Sequence, residues 1–387
     1  MGMSSTKNKK QIGKKVNKII FGLLTKNISF SMKDNTHYKL CILLKCIVFC
    51  AMRELYFESG LEEFTNRIKQ KTPNADTVNR RIRKKTKEEI AEEFMKTQDK
   101  ILSKFRKARL LNRRVTAFID KTEIPYWGDK NDKGIVGTKK QKGTYYCFKY
   151  ITINILVKKV KLCLHILPVT AFSNNTKLVD ELITVTKKKD VRIGAVLVDR
   201  EFANSKIIPV FEKHQVKYLA PIEKNPKIKN LISMNVWKEK YIHNIYEFEN
   251  RVCTTLFFIR NDTVFDGNTP IWKCYHVFCT NLCVTDENRG ILAEVYRRRW
   301  NIENFYRDGK GNFLVKTKSK EFNVRMFFFL LCALLYNLWQ LIRMVAGNTI
   351  ITAQHWKTEV YELLYSKSNL LYKSGVYEEM IWSEIFL

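Results

Sequence analysis

Apolar and polar positions follow two rhythms along this chain, and the change between them marks its organisation. Up to about residue 112 the apolar residues recur at helical spacing in a basic background. Gly60–Lys69 and Asp76–Lys85 predict two short helices joined by Gln70–Ala75, where Thr72-Pro73-Asn74 supplies a turn. The pair resembles a helix-turn-helix with Arg80, Arg81, Arg83, Lys84 and Lys85 on or near its second helix; a solvated basic helix reads equally well. From Arg114 the pattern becomes strand-like. Val115–Ile119 is short and apolar and ends at Asp120, while Tyr145–Val157 and Lys159–Leu167 alternate and join tightly through Lys158, as a hairpin does. A helix over Lys177–Lys187, a buried strand at Ile193–Val198 ending at Asp199, a helix near Ser205–Lys213 and a strand at Tyr218–Pro221 follow. Residues 222–286 interrupt with more strand sequence, Tyr246–Ile259 and Ile271–Thr280. After Thr285-Asp286 a long helix is predicted from near Leu292, and an apolar helix from Val324 to about Ala346. The tail, 347–387, is helical in flavour, and no internal repeats are present.

Composition narrows the function. The 387 residues carry 69 Lys+Arg against 38 Asp+Glu, a formal charge of +31, and such a surplus calls for a polyanion, nucleic acid above all. At 45% hydrophobic residues the chain has material for packed cores, which excludes a disordered tail protein and suits two or three domains. The apolar stretch Ile19–Leu24 is too short for a signal-peptide core. Lys39–Met52 is broken by Lys45, and Met326–Trp339 contains Asn337 and runs into Gln340 and Arg343; both read as buried helices, and no membrane partner is expected. The ten cysteines form no CxxC pair. Cys274, His276, Cys279 and Cys283 are the one cluster to weigh as a zinc site, but their spacing is not a finger's, and ordinary reduced thiols in a cytoplasmic setting fit them better.

Candidate chemistry lies in three acids. Asp120 and Asp199 each close a short apolar strand, Ala117-Phe118-Ile119-Asp120 and Val196-Leu197-Val198-Asp199, and strand ends are where a polar group leaves an α/β core. At roughly 100° per residue, Tyr296, Arg299 and Glu303 share one arc of a helix, and Ile291, Val295, Ile302 and Phe305 share another that predicts the core side. Lys310 continues the polar stripe unless Gly309 and Gly311 end the helix first. Glu123, Glu201 and Asp308 lie close in sequence and compete for the three roles. Carboxylates that converge repel one another, so divalent metal is their natural partner; Mg²⁺ takes hard oxygen ligands, and two ions about 3.5–4 Å apart serve phosphodiester chemistry.

Tyr296-x2-Arg299-x3-Glu303-x6-Lys310 has every spacing of the YREK signature, and over about residues 60–346 the chain resembles the DDE transposases of prokaryotic insertion sequences. Asp120, and Asp199 within Asp199-Arg200-Glu201-Phe202, look like that family's first two catalytic aspartates. Phe327–Arg343, with Tyr336-Asn337-Leu338-Trp339, is similar to its C-terminal core helix. The resemblance implies an α/β fold, an RNase H-like mixed sheet flanked by helices, with a β-rich insertion before the last catalytic helix. The corresponding division is a helical basic DNA-binding region at 1–112, the core at 113–221 and 287–346, the insertion at 222–286 and a helical tail at 347–387.

The same resemblance implies cut-and-paste transposition through a hairpin intermediate. Asp120, Asp199 and Glu303 would be both catalytic residues and ligands of Mg²⁺, two ions with Mn²⁺ able to substitute. Its implied partners are double-stranded DNA with terminal inverted repeats, target DNA and a second copy of the chain in a synaptic homodimer, at a cytoplasmic, nucleoid-associated location. Tyr296, Arg299 and Lys310 would hold DNA phosphates, and either Trp272 or Trp300 would stack a flipped base if not packed in the core. Lys316, Lys318, Lys320 and Arg325 suit backbone contacts or a solvated loop. An RNase H-like nuclease without strand transfer and a non-catalytic DNA-binding protein with structural acids are the alternatives.

Overall fold

Three parallel strands form the centre of the sheet. They are β1 (Val115–Tyr126), β5 (Ile193–Val198) and β6 (Lys217–Pro221), whose apolar runs suit strands covered on both faces. The structure, a computed structural model, describes residues 21–30, 37–68, 71–264, 269–345 and 351–365. The Lys-rich arm Met1–Lys18, Lys69 and most of the tail lie outside these residues.

Around that centre the pairing is antiparallel. β3 (Thr144–Val157) lies on the outer side of β1 and is followed by β2 (Val136–Gln141) and β4 (Val160–Val169). On the other side β9 (Tyr275–Thr280) pairs with β6, then come β8 (Cys253–Arg260) and β7 (Lys240–Glu247). The nine-stranded order is β2-β3-β1-β5-β6-β9-β8-β7, with β4 on β3. The strand-rich segment 222–286 therefore extends the central sheet. Within it the expected strand Tyr246–Ile259 is a hairpin: Asn250 and Arg251 take positive φ angles of 68° and 58°, and the chain reverses there. The strand expected from Ile271 starts only at Tyr275, after a 3₁₀ turn over Ile271–Lys273.

The N-terminal helices are α1 (Leu40–Arg53), α2 (Phe57–Ile68), α3 (Ala75–Arg83) and α4 (Lys87–Lys107). Asn74 caps α3 by accepting from the Thr77 N–H at 2.8 Å, and Thr86 with Glu89 closes a reciprocal capping box on α4. The two-helix unit is thus present as α2 and α3. Its basic end is partly spent, however: Arg83 pairs with Asp76 at 2.8 Å, and Lys85 is buried against Glu93. The remaining helices are α5 (Asn175–Lys188), α6 (Ile208–Lys213), α7 (Pro226–Met234), α8 (Arg289–Arg297), α9 (Trp300–Phe313), α10 (Phe322–Val345) and α11 (Ala353–Tyr365).

Helix α10 is the spine, packed against α3, α4, α9 and β4. It is apolar all round because it is covered all round, and one apolar cluster runs through it from Leu43 to Trp356. By length and composition α10 could cross a bilayer, yet 78% of its most apolar stretch is buried inside the fold. One of its buried amides, Asn337, has a defined task. β4 pairs only with β3, so its outer edge needs hydrogen-bond partners. Asn337 accepts from the Cys163 N–H at 3.0 Å and donates to the Cys163 carbonyl at 2.7 Å, which Gln98 of α4 also reaches at 2.7 Å. Replacing Asn337 by Leu orphans a buried N–H, and we expect a loss of about 1–3 kcal/mol in unfolding free energy. An unchanged denaturant midpoint for Asn337→Leu would show the clamp to be dispensable.

Candidate active site

Strand register places the first two acids. β1 and β5 are parallel with Ile119 opposite Val198, so Asp120 and Asp199 follow side by side where the two strands run next to each other. They arrive there for different reasons. β5 ends at Val198, and the Asp199 carboxylate accepts from the Arg200 N–H at 2.8 Å as it caps the 3₁₀ turn Arg200–Phe202. β1 does not end at Asp120, as its apolar run suggests, but continues to Tyr126 because β3 pairs along its whole length, Asp120 facing Thr152. Asp120 is therefore a mid-strand residue beside the point where its parallel neighbour stops.

The long helix expected from Leu292 is two helices. At Arg298 and Arg299 the N–H groups bond back three residues, to the carbonyls of Val295 and Tyr296 at 3.1 and 2.8 Å, and this tighter turn separates α8 from α9. Because the two helices are offset there, one apolar arc does not serve both. Phe305 is buried and Val295 half-buried, but Ile291 is 64% exposed; the Ile302 side chain lies outside those described. Leu292, Ala293, Val295 and Tyr296 form the inner face of α8 instead. Helix α9 runs through Gly309 and Gly311 to Phe313, so Lys310 does stay on it.

The polar stripe faces the strand ends. Arg299 donates to the Asp120 carboxylate at 3.2 Å and to that of Glu303 at 3.0 Å, a single guanidinium between two acids. The Tyr296 hydroxyl donates to the Val198 carbonyl at 3.3 Å, and Lys310 donates to Thr122 Oγ1 at 2.8 Å and to the Glu123 carbonyl at 3.1 Å. Sequence reasoning missed Tyr306. Its buried hydroxyl donates to the Asp120 carbonyl at 2.9 Å and lies 2.7 Å from the hydroxyl of Thr152. The available signal was a tyrosine one turn beyond Glu303, on the side of α9 turned to the core.

Burial pushes the Asp120 carboxyl up to about 6. Arg299 and the Lys121 N–H oppose that shift, while the negative charges of Asp199 and Glu201 add to it. Glu303 is half-exposed. Among the described residues no three His, Cys, Asp or Glu side chains converge tightly enough to hold a metal. Asp120 and Asp199 are neighbours, and Glu303 joins them only through Arg299. The adjacent, mutually repelling pair nevertheless suits a hard divalent cation, which needs one or two carboxylates with water and phosphate oxygens completing its shell. Of the competing acids, Glu123 is occupied by Lys149, Thr138 and Gln141 at 2.5–2.6 Å. Asp308 lies beside Arg307, and Glu201 is held by Lys121 at 2.7 Å.

The other singled-out residues divide. Trp300 is 66% exposed and, with Asp199, Arg200, Lys224, His276 and Arg297, lines a cavity of about 400 Å³. Trp272 is half-buried with the ammonium groups of Lys229 and Lys273 at 4.3 and 5.5 Å from its ring. Lys316, Lys318 and Lys320 are exposed. Arg325 is not available in the same way: it donates to the Ser319 and Thr317 carbonyls at 2.7 and 3.2 Å and covers the rings of Tyr126 and Phe148. Cys274 and Cys279 are buried thiols, burial pushing Cys279 up to about 12, and among the described residues no group of three metal-ligating side chains gathers around them.

Similarity to known proteins agrees with this geometry. No curated protein matches by sequence. Among solved structures, the piggyBac transposase synaptic complex with hairpin DNA superposes with a TM-score of 0.55 at 10% identity, covering 97% of this chain and 82% of that one, which shows a shared fold. The sequence of residues 112–338 matches the family described as Transposase DDE domain. That match spans more than half of the chain and contains all three acids, and the protein belongs to the DDE transposase family.

Proposed function

We propose that this transposase cuts DNA at the ends of an insertion sequence of the YREK-signature, prokaryotic class and transfers the freed strand into target DNA. The observation that carries the reading is the register of β1 and β5, which sets Asp120 beside Asp199 while α9 brings Glu303 to the same place through Arg299. Asp120, Asp199 and Glu303 are then the catalytic acids, and the first two are the residues placed to hold Mg²⁺ or Mn²⁺. When bound, such ions activate a water or a 3′-hydroxyl and stabilise the leaving oxygen of the phosphodiester. The chain's own residues do the rest. Arg299 exchanges its two carboxylates for the scissile phosphate, which its planar fork suits, and Glu303 is released toward the aspartates. Tyr296 and Lys310, fastened to the backbone of β5 and β1 respectively, hold neighbouring phosphates, and Tyr306 fixes the main chain at Asp120.

Trp300, the exposed ring beside Arg299, is the better of the two tryptophans for stacking an extruded base. A hairpin route and a synaptic assembly, here taken as a homodimer, are supported by the piggyBac transposase having been seen in a synaptic complex with hairpin DNA. In this reading residues 1–112 carry further DNA contacts, and 222–286 form the wall between the two parts of the core.

Three outcomes test the reading. Asp120→Asn, Asp199→Asn and Glu303→Gln each reduce metal-dependent nicking of element-end DNA about a thousandfold, several kcal/mol of transition-state stabilisation, and leave DNA binding intact. Full nicking activity in Glu303→Gln would move the third acid elsewhere, with Glu201 first in line. Nicking without any strand transfer in the wild type would make the protein a nuclease. The pH profile follows from Asp120: below about 6 it carries a proton and is a poor metal ligand, so the nicking rate falls with pH on that side. Because Arg299 holds Asp120 down, Arg299→Ala shifts that acidic limb to higher pH; a limb that stays in place or moves down in the residual activity contradicts the electrostatic role.

A further inference from the structure

Beyond Asp120, β1 continues toward a second hollow. A groove of about 550 Å³ has residues 123–125 of β1 along its floor and Tyr306, Arg307 and Lys310 of α9 along one wall. Its floor begins three residues past Asp120, about 10 Å along an extended strand. It meets a different stretch of α9 from the cavity at Trp300.

Two aromatic rings stand open in it. Trp127 is 64% exposed, yet its position is fixed, because the indole N–H donates to the Lys142 carbonyl at 3.0 Å. Lys142 itself is held in the tight turn between β2 and β3, where it and Gly143 have φ angles of 47° and 84°. Tyr56 is 48% exposed, and its backbone is pinned where the Phe57 N–H donates to the Lys316 carbonyl at 2.8 Å. A large ring held in water by a polar anchor, with a second exposed ring in the same groove, marks a surface that covers them with something flat.

The charge of the groove says what that is. Lys142, Arg307 and Lys316 are exposed along it, and Lys310 lies on its inner wall. Both acids that reach the groove are already neutralised, Glu123 by Lys149 and Glu54 by Lys357. What remains is cationic with exposed π faces. A duplex, whose bases are stacked on one another, offers only phosphates to such a groove, whereas an unpaired strand offers bases and phosphates together.

We propose that this groove binds unpaired nucleotides of the DNA strand that passes Asp120, with Trp127 as the stacking platform and Lys142 and Lys316 as phosphate contacts. The choice of DNA rests on the transposase reading; the choice of an unpaired strand rests on the rings and charges of the groove itself.

The test uses the full chain in EDTA, so that no cleavage intervenes, and fluorescence anisotropy of an end-labelled oligo-dT and of a blunt duplex of equal length. Trp127→Ala is expected to raise Kd for oligo-dT about tenfold, the order of one lost base–aromatic stack, and to leave the duplex unaffected. Trp127→Phe keeps a π face and retains most of the affinity; since the ring is exposed, neither variant should lower the unfolding midpoint. Lys142→Gln with Lys316→Gln flattens the salt dependence of oligo-dT binding by about two phosphate contacts. Wild-type affinity for oligo-dT in Trp127→Ala, no oligo-dT binding by the wild type, or tighter binding of oligo-U than of oligo-dT each overturns the proposal. Nicking of end DNA in Mg²⁺ is scored separately. If the wild type nicks and Trp127→Ala binds normally, the groove proposal fails alone. If oligo-dT binding depends on Trp127 but no nicking occurs, the groove stands and the catalytic reading fails.

Discussion

A carboxylate in the middle of a buried strand is the constraint around which this molecule is arranged. Asp120 lies in β1 with β3 on one side and the end of β5 on the other, and burial, the largest influence on its carboxyl, leaves it up at about 6 even with Arg299 opposing the shift. The surroundings answer that cost group by group. The Lys121 N–H and Arg299 meet the carboxylate, Tyr306 meets its main-chain carbonyl, and Thr152 on the facing strand holds Tyr306. Those contacts fix where α9 lies, and α9 in turn seats on α10, the apolar spine. Position and chemistry are thus set by the same few hydrogen bonds.

The fastening of α10 obeys a related rule. An apolar helix can slide or rotate in a greasy groove with little loss, since hydrophobic contact is non-directional. Asn337, gripping both the N–H and the carbonyl of Cys163, supplies the direction that the surrounding Leu and Phe side chains lack. The same contact occupies the outer edge of β4 at Cys163, and α10 packs against that strand.

Much of this was legible in the sequence, for reasons that are local. β5, α5 and β6 follow from apolar runs and spacing, and the two aspartates from the ends of such runs. What escaped depends on partners distant in the chain. The extension of β1 to Tyr126 is dictated by β3, and the polar β2 has no strand pattern of its own and exists as an addition to β3. The break at Arg298 and Arg299 contains neither Gly nor Pro, so helical arithmetic ran through it and put Ile291 on the wrong side. Arg325 reads as one more cation in a basic run, and only the placement of Tyr126 and Phe148 reveals that it is occupied. Tyr306 was silent because a hydroxyl on a helix side turned to the core announces nothing until its acceptor is known.

Arg299 has a thermodynamic consequence of its own. A guanidinium held at two points by Asp120 and Glu303 is an internal counter-ion, and any other cation that seeks those carboxylates competes with it. The competitor is removed most readily when a phosphate offers Arg299 a replacement fork, and a phosphate is held best when a metal has taken over the acids. If both bind where proposed, each ligand would raise the affinity for the other by the same factor, as reciprocity between coupled sites requires. On the proposed reading, uptake of metal and uptake of DNA would become one cooperative event, while the bare chain keeps Arg299 balanced against Asp120 and Glu303.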